Sequence, residues 1–414
     1  MEKVTNTIIE TFEAISAIPR CSKNEAKLAA WLMDWAREHG YPFRSDEVGN
    51  LVIQVPASPG MDGKPTVILQ GHMDMVCEKT PESAHHFECD PVRVLRNGDW
   101  IHADGTTLGA DNGIALAMAL VLVADEAVRH PPLELLFTVD EESGLIGAHK
   151  LDASLITGRI LINIDSEDEG VFTIGCAGGE ETLVRLPLVY EDWPDSCDCG
   201  RIVVGGLRGG HSGVDIHKPR ANANRLLGRL LLRLQETPDF RLVSLAGGSA
   251  HNAIPRDASA SLAFPLAQAA VLKAAVKDCE QIFLEEHTDT EPNLFVHFEE
   301  LEDTLPEHVL RPESALQAVR LLNALPHGVH GMSTRVAGLV ETSCNLAIVR
   351  IEQGALEIIS SQRSSSMSRL EELTSRVAAV AALAGASAIR MNHHPAWAPD
   401  MKAALLKRCC DIFG

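Results

Sequence analysis

The chain has 414 residues, 45% hydrophobic and 22% charged, enough for two domains with sizeable cores and ordinary for a soluble globular protein. A formal net charge of −21 argues against nucleic acid and anionic lipid as partners. No stretch approaches the ~20 apolar residues of a membrane span, and Met1–Glu10 holds no continuous apolar segment, so the expected location is the cytoplasm.

Apolar spacing predicts helices over 5–18 and 24–39, broken at Ile18-Pro19-Arg20, with Asn24 as the cap of the second. A strand is expected at Leu51–Val55. The apolar run Pro65–Leu69 ends in Gly71-His72-Met73-Asp74, so an imidazole and a carboxylate two residues apart leave one strand end on the same side. Residues 77–99 read as loop, with His85 and His86 facing solvent. Asp104–Gly113 puts the carboxylate of Asp111 at a turn, and a helix rich in Ala and Leu follows from Asn112 to Ala127. Its N-terminus would help hold that loop and its anionic ligands.

Two further apolar runs end in acids. Leu133–Val139 closes on Asp140, Glu141 and Glu142, and Arg159–Ile164 closes on Asp165. Three runs each ending in His, Asp or Glu are the pattern of a buried parallel sheet with a site at its carboxyl edge. The plainer alternative is a solvated sheet edge. One histidine among several carboxylates suits a borderline-hard divalent ion such as zinc, manganese or cobalt, and two ions would need a shared ligand, for which Asp111 is the candidate.

Near Gly178-Gly179 the character changes. Residues 183–193 alternate, Pro194–Gly200 is a turn, and a strand at Arg201–Val204 precedes Gly205–Gly213. This marks entry into a second domain, inserted into the first and running to residue 385. Helices are expected over 222–234 and 270–285, a turn into strand at Asn252–Arg256, a loop over 299–307 and a strand at Glu357–Ser361. His211, between two glycines and Ser212-Gly213, has no apolar face to bury and is a candidate functional group. The ten cysteines lack paired CxxC spacing and are expected to be reduced, mostly buried thiols.

The ordered set Ala17-Ile18-Pro19, Gly71-His72-Met73-Asp74, Thr106–Gly113, Glu141-Glu142, Asp165-Ser166-Glu167, Gly175–Gly179, Gly209–Gly213 and Asn252–Arg256 resembles the M20 metallopeptidases, in particular their Xaa-His dipeptidases, over nearly the whole chain. The resemblance implies an α/β fold with two domains. A mixed, mostly parallel sheet flanked by helices carries the metal centre (1–183), an α+β lid and dimerisation domain is inserted (184–385), and the chain then returns to the first domain (386–414).

It also implies roles. His72, Asp111, Glu142 and Asp165 would hold two divalent ions, zinc foremost with cobalt or manganese as alternatives. Asp74 would orient His72, Glu141 would be the general base and proton shuttle, and His211 would stabilise the tetrahedral oxyanion. Arg363 would clamp the substrate's terminal carboxylate and Asn252 would contact substrate. The implied activity is metal-dependent hydrolysis of small dipeptides, including β-Ala-His, by a homodimer. A related deacylase or aminopeptidase is one alternative. Family members continue past the position of Gly414 and bring a last metal-ligating histidine from that stretch. The second alternative is therefore a shortened, catalytically silent metal-binding scaffold.

Overall fold

The structure, a computed structural model, describes the chain except Met1, the side chain of Glu2, Glu167, 236–238 and 302–305. The chain divides into two compact units, Met1–Phe172 and Thr173–Gly414. Among the described residues no helix is long and apolar enough to cross a membrane.

The first unit holds strands β1 (Phe43–Ser45), β2 (Leu51–Val55), β3 (Val67–His72), β4 (Val94–Asn97), β5 (Trp100–Ala103), β6 (Leu133–Thr138) and β7 (Ile160–Asn163). Its helices include α1 (Glu2–Ser16), α2 (Ala26–Glu38) and α3 (Ala110–Ala124). The central sheet runs β1-β2-β6-β3-β7. It is mixed: β1, β2 and β6 pair antiparallel, while β3 pairs parallel with both β6 and β7. The parallel side carries the candidate site.

Strand alternation explains the layering. Leu51, Ile53, Val55, Leu69, Leu133, Leu135 and Phe137 point into one core with Phe12 and Ile15 of α1, Leu28 and Leu32 of α2, and Leu116 and Leu120 of α3. Val52, Ile68 and Leu136 point the other way, onto Leu155. Helix α3 approaches β3 closely because Gly71 has no side chain: a Cβ there would collide with Asn112 Oδ1 and sit 3.1 Å from Ala115 Cβ.

The second unit is built on a nine-stranded sheet whose described pairings are all antiparallel. Helices Ala223–Leu234, Ala269–Glu286, Pro312–Ala324 and Met367–Leu383 pack with it into a single core that includes Val184, Ile202, Leu262, Leu346 and Ile358. Asn222 caps the first of these helices, accepting the Arg225 N–H at 3.2 Å. Strand Ser387–His394 belongs to this sheet, next to Gly178–Pro187.

Several expectations are corrected. Asn24 is not the cap of α2; Glu25 stands there, and its side chain makes no capping bond. The expected loop 77–99 contains β4, which forms a hairpin with β5 around Gly98-Asp99. The expected loop 299–307 begins inside strand Phe295–Leu301, and its residues 302–305 lie outside the described residues.

The cysteines differ as well. Cys21 and Cys77 form a disulfide, brought together by a parallel bridge between Cys21 and Met75. Of the remaining thiols Cys199, Cys279 and Cys344 are buried, whereas Cys89, Cys176 and Cys410 are exposed. Spacing gave no sign of the pairing, because its partners are joined by tertiary structure alone.

Candidate metal centre

His72 is the last residue of β3, Glu141 and Glu142 follow β6, Asp165 follows β7, and Asp111 lies at the start of α3. Parallel strands deliver their carboxyl ends to one edge, and five donors meet there. From His72 Nε2 the distances are 2.9 Å to Asp111 Oδ1, 3.6 Å to Asp165 Oδ1 and 4.0 Å to Glu141 Oε2. Ligand atoms of His72, Asp111 and Asp165 lie within 4.8 Å of one another, as do those of the overlapping set His72, Glu141 and Glu142. An imidazole shared between two carboxylate groups is a donor set that fits divalent cations.

The imidazole is buried and tightly oriented. His72 Nδ1 sits 3.1 Å from the backbone oxygen of Asp74 and 3.3 Å from its Oδ1, which leaves Nε2 aimed at the acids. Burial disfavours the imidazolium, but the carboxylates of Asp165 and Asp74 outweigh it and push this group up to about 11. Asp74 itself is fully buried. Burial raises its carboxyl, while His72, the Glu141 N–H, Ser22 and the Glu142 N–H more than offset that and hold it at about 2. Its Oδ1 accepts the Glu141 N–H at 3.0 Å, and its Oδ2 accepts the Glu142 N–H at 3.1 Å and the Ser22 hydroxyl at 2.7 Å. Asp74 therefore orients the imidazole and also the turn that carries the two glutamates.

Both glutamates are half-buried. Burial raises the Glu141 carboxyl above the usual range, with Asp165, Glu142 and Asp74 adding and His72 opposing. Glu142 is raised by burial first and by the charge of Asp111 next.

Sequence reading missed four residues that support this edge. Asn112 Oδ1 accepts the His72 N–H at 3.0 Å, and its Nδ2 donates to the Ile164 carbonyl at 2.7 Å, tying β3 to the segment just before Asp165. Arg20, 1% exposed, donates to the carbonyls of Met73 at 3.0 Å, Asp74 at 2.9 Å and Gly109. Burial lowers its guanidinium to about 10, opposed by Asp74, Asp111 and Glu142. Ser22 binds Asp74, and Glu25 accepts the Asp140 N–H at 2.8 Å. Arg20 and Asn112 stood inside or beside the motifs. Glu25 had no signal, since its partner is 115 residues away.

Three other predicted residues form a separate cluster in the second unit. His211 pairs with Ala253 across two short strands, and the Ser212 N–H donates to the Asn252 carbonyl at 2.7 Å. Arg363 shares their neighbourhood: a Cβ on Gly213 would lie 3.0 Å from His211 Cε1 and 3.3 Å from Arg363 Nη1. Burial and the nearby Arg363 charge lower the His211 imidazole. Arg363 Nε is buried and has no hydrogen-bond partner among the described residues. His86 is exposed, while His85 is half-buried edge-on to Phe87; neither joins a metal group.

The chain is similar to known peptidases. Residues 204–291 match the peptidase dimerisation domain of M20 enzymes. The chain is 38% identical over 397 residues to the cytosol non-specific dipeptidase of Escherichia coli K12, covering 96% of this chain and 81% of that one. The crystal structure of aminoacylhistidine dipeptidase from Vibrio alginolyticus superposes with a TM-score of 0.89 at 37% identity, over 97% of this chain and 81% of that one. The chain belongs to the M20 family of metallopeptidases.

Proposed function

We propose that this protein is a metal-dependent dipeptidase that hydrolyses Xaa-His dipeptides such as β-Ala-His together with other small dipeptides. The observation that carries the reading is the gathering of His72, Asp111, Glu141, Glu142 and Asp165 at one sheet edge. The names of its two relatives, a non-specific dipeptidase and an aminoacylhistidine dipeptidase, support the substrate class.

His72, Asp111 and Asp165 would hold one divalent ion, and Asp111 with Glu142 a second, zinc being the ion we propose. When bound, these ions supply Lewis acidity to the scissile carbonyl and to the attacking water. Asp74 fixes the His72 ring so that Nε2 faces the site. Glu141 takes the proton of the attacking water and returns it to the departing amine, a role that suits a half-buried carboxylate 4.0 Å from His72. His211 stabilises the oxyanion of the tetrahedral intermediate, and Arg363 with Asn252 holds the substrate's terminal carboxylate. We further propose a cytoplasmic homodimer associating through the domain containing 204–291.

The test is metal content and hydrolysis measured on the same purified chain, with β-Ala-His, other dipeptides, tripeptides and N-acyl amino acids. Dipeptide turnover that Glu141→Gln removes while metal content stays unchanged is the expected result. Preference for N-acyl amino acids or tripeptides would move the chain to a related activity. A folded, metal-loaded protein with no turnover would overturn the reading.

A further inference from the structure

We infer that Glu25 is a positioning residue for the Glu141–Glu142 turn, an inference that rests on the roles proposed above for those two glutamates. The turn leaves β6 through Asp140, whose φ of +50° is a left-handed conformation that a non-glycine residue holds only when its surroundings enforce it. Its successive N–H groups are taken one by one. Asn50 Oδ1 accepts the Val139 N–H at 3.1 Å, Glu25 Oε1 accepts the Asp140 N–H at 2.8 Å, and the two oxygens of Asp74 accept those of Glu141 and Glu142.

A helix-capping role does not explain Glu25. It stands just before α2, yet its carboxylate makes no bond to that helix; it also accepts the Lys23 N–H at 3.1 Å and otherwise reaches across the fold to Asp140. Nor is the position cheap. Glu25 is 6% exposed, and its ligand oxygen lies within 4.8 Å of the equally buried Asp74 and Asp140 carboxylates, so desolvation and like charge both oppose it. An acceptor retained against those costs, aimed at the backbone of the residue before Glu141, sets the direction in which both glutamates leave the strand. Glu25 touches neither overlapping metal group, so its effect passes through the turn.

The test uses the full chain as wild type, Glu25→Ala, Glu25→Gln and Glu25→Asp. It follows Co²⁺ binding by visible absorbance and dipeptide turnover as separate kcat and KM. In Glu25→Ala, kcat and the affinity for the weaker-bound Co²⁺ should each fall about 10- to 100-fold, the range for losing a group that orients a ligand, with KM unchanged. Glu25→Gln keeps an oxygen acceptor and should restore both values. If Glu25→Ala fails to fold, Glu25→Asp decides, because it keeps the charge but withdraws the acceptor by one methylene and should show the same losses. Wild-type Co²⁺ binding in Glu25→Ala or Glu25→Asp, or an equal loss in Glu25→Gln, overturns the inference. If no variant and no wild-type sample turns over dipeptide, the proposed function fails while the Co²⁺ titration still decides the role of Glu25.

Discussion

Asn112 Oδ1 accepts the backbone N–H of His72 at 3.0 Å, so the helix that follows Asp111 sets the height of the imidazole. Replacing Asn112 by Ala strands the His72 N–H and the Ile164 carbonyl, each at roughly 1–3 kcal/mol. Urea denaturation of Asn112→Ala should therefore show a stability loss of roughly 2–6 kcal/mol. Its metal affinity should drop too; an unchanged binding isotherm would mean that His72 needs no such support.

Arg363 offers a guanidinium whose buried Nε has no partner among the described residues, in the cluster with His211 and Asn252. If it binds the substrate carboxylate, Arg363→Lys keeps the charge but loses the two-pronged contact. KM should then rise roughly 10- to 100-fold, as expected for a charge-assisted bond worth about 1.5–3 kcal/mol, with a smaller change in kcat. Steady-state kinetics that show kcat falling with KM fixed would assign Arg363 to another task.

The Cys21–Cys77 disulfide spans 56 residues of sequence. A loop of that length stabilises by roughly 4 kcal/mol through the unfolded chain. Cys77→Ser should lower the melting temperature by several degrees, and wild type under reducing conditions should approach the mutant. Thiol titration of the unfolded, non-reduced chain should find eight reactive groups, the free cysteines outside the disulfide; ten would show the bridge absent.

His327 supplies an acid-sensitive element far from the metal groups in sequence. Its Nδ1 accepts the Leu346 N–H at 3.3 Å and faces Asn222 Nδ2 at 3.4 Å. Burial first, then the charges of Arg225 and His330, push the imidazole from 6.5 down to about 4. Because the unfolded chain binds this proton more readily, the contribution is complete above pH 6.5 and is lost as pH falls toward 4. The effect amounts to at most about 3 kcal/mol. Denaturation series at several pH values should show a shallower acid limb in His327→Gln than in wild type.

Much of the first unit could be read from its strands, because β3, β6 and β7 are apolar runs that end in chemistry. That pattern marked His72, Asp165 and the acids Asp140, Glu141 and Glu142 as candidates, and the turn before an apolar helix marked Asp111; the division of roles between Glu141 and Glu142 came from the family resemblance. What the pattern could not carry is support across the fold. Glu25 binds a backbone N–H 115 residues away and Arg20 binds carbonyls 53, 54 and 89 residues away; no periodicity marks such partners. The β4–β5 hairpin is a different case, since Gly98-Asp99, with Gly98 at φ +61°, is a turn signal that stood in the open inside a stretch read as loop. The cysteine pairing came from the bridge between Cys21 and Met75, which only the folded chain creates.

The side chains of Asn50, Glu25 and Asp74 grip residues 139–142 by their main-chain N–H groups. A hold of that kind does not distinguish one side chain from another; among the natural residues only proline, which lacks the N–H, would release it. The turn is thus a socket whose fittings can be exchanged. Aspartate, histidine or glutamine at 141 or 142 would leave the strand from the same point, and an altered metal preference or reaction could arise there without refolding the edge that presents it.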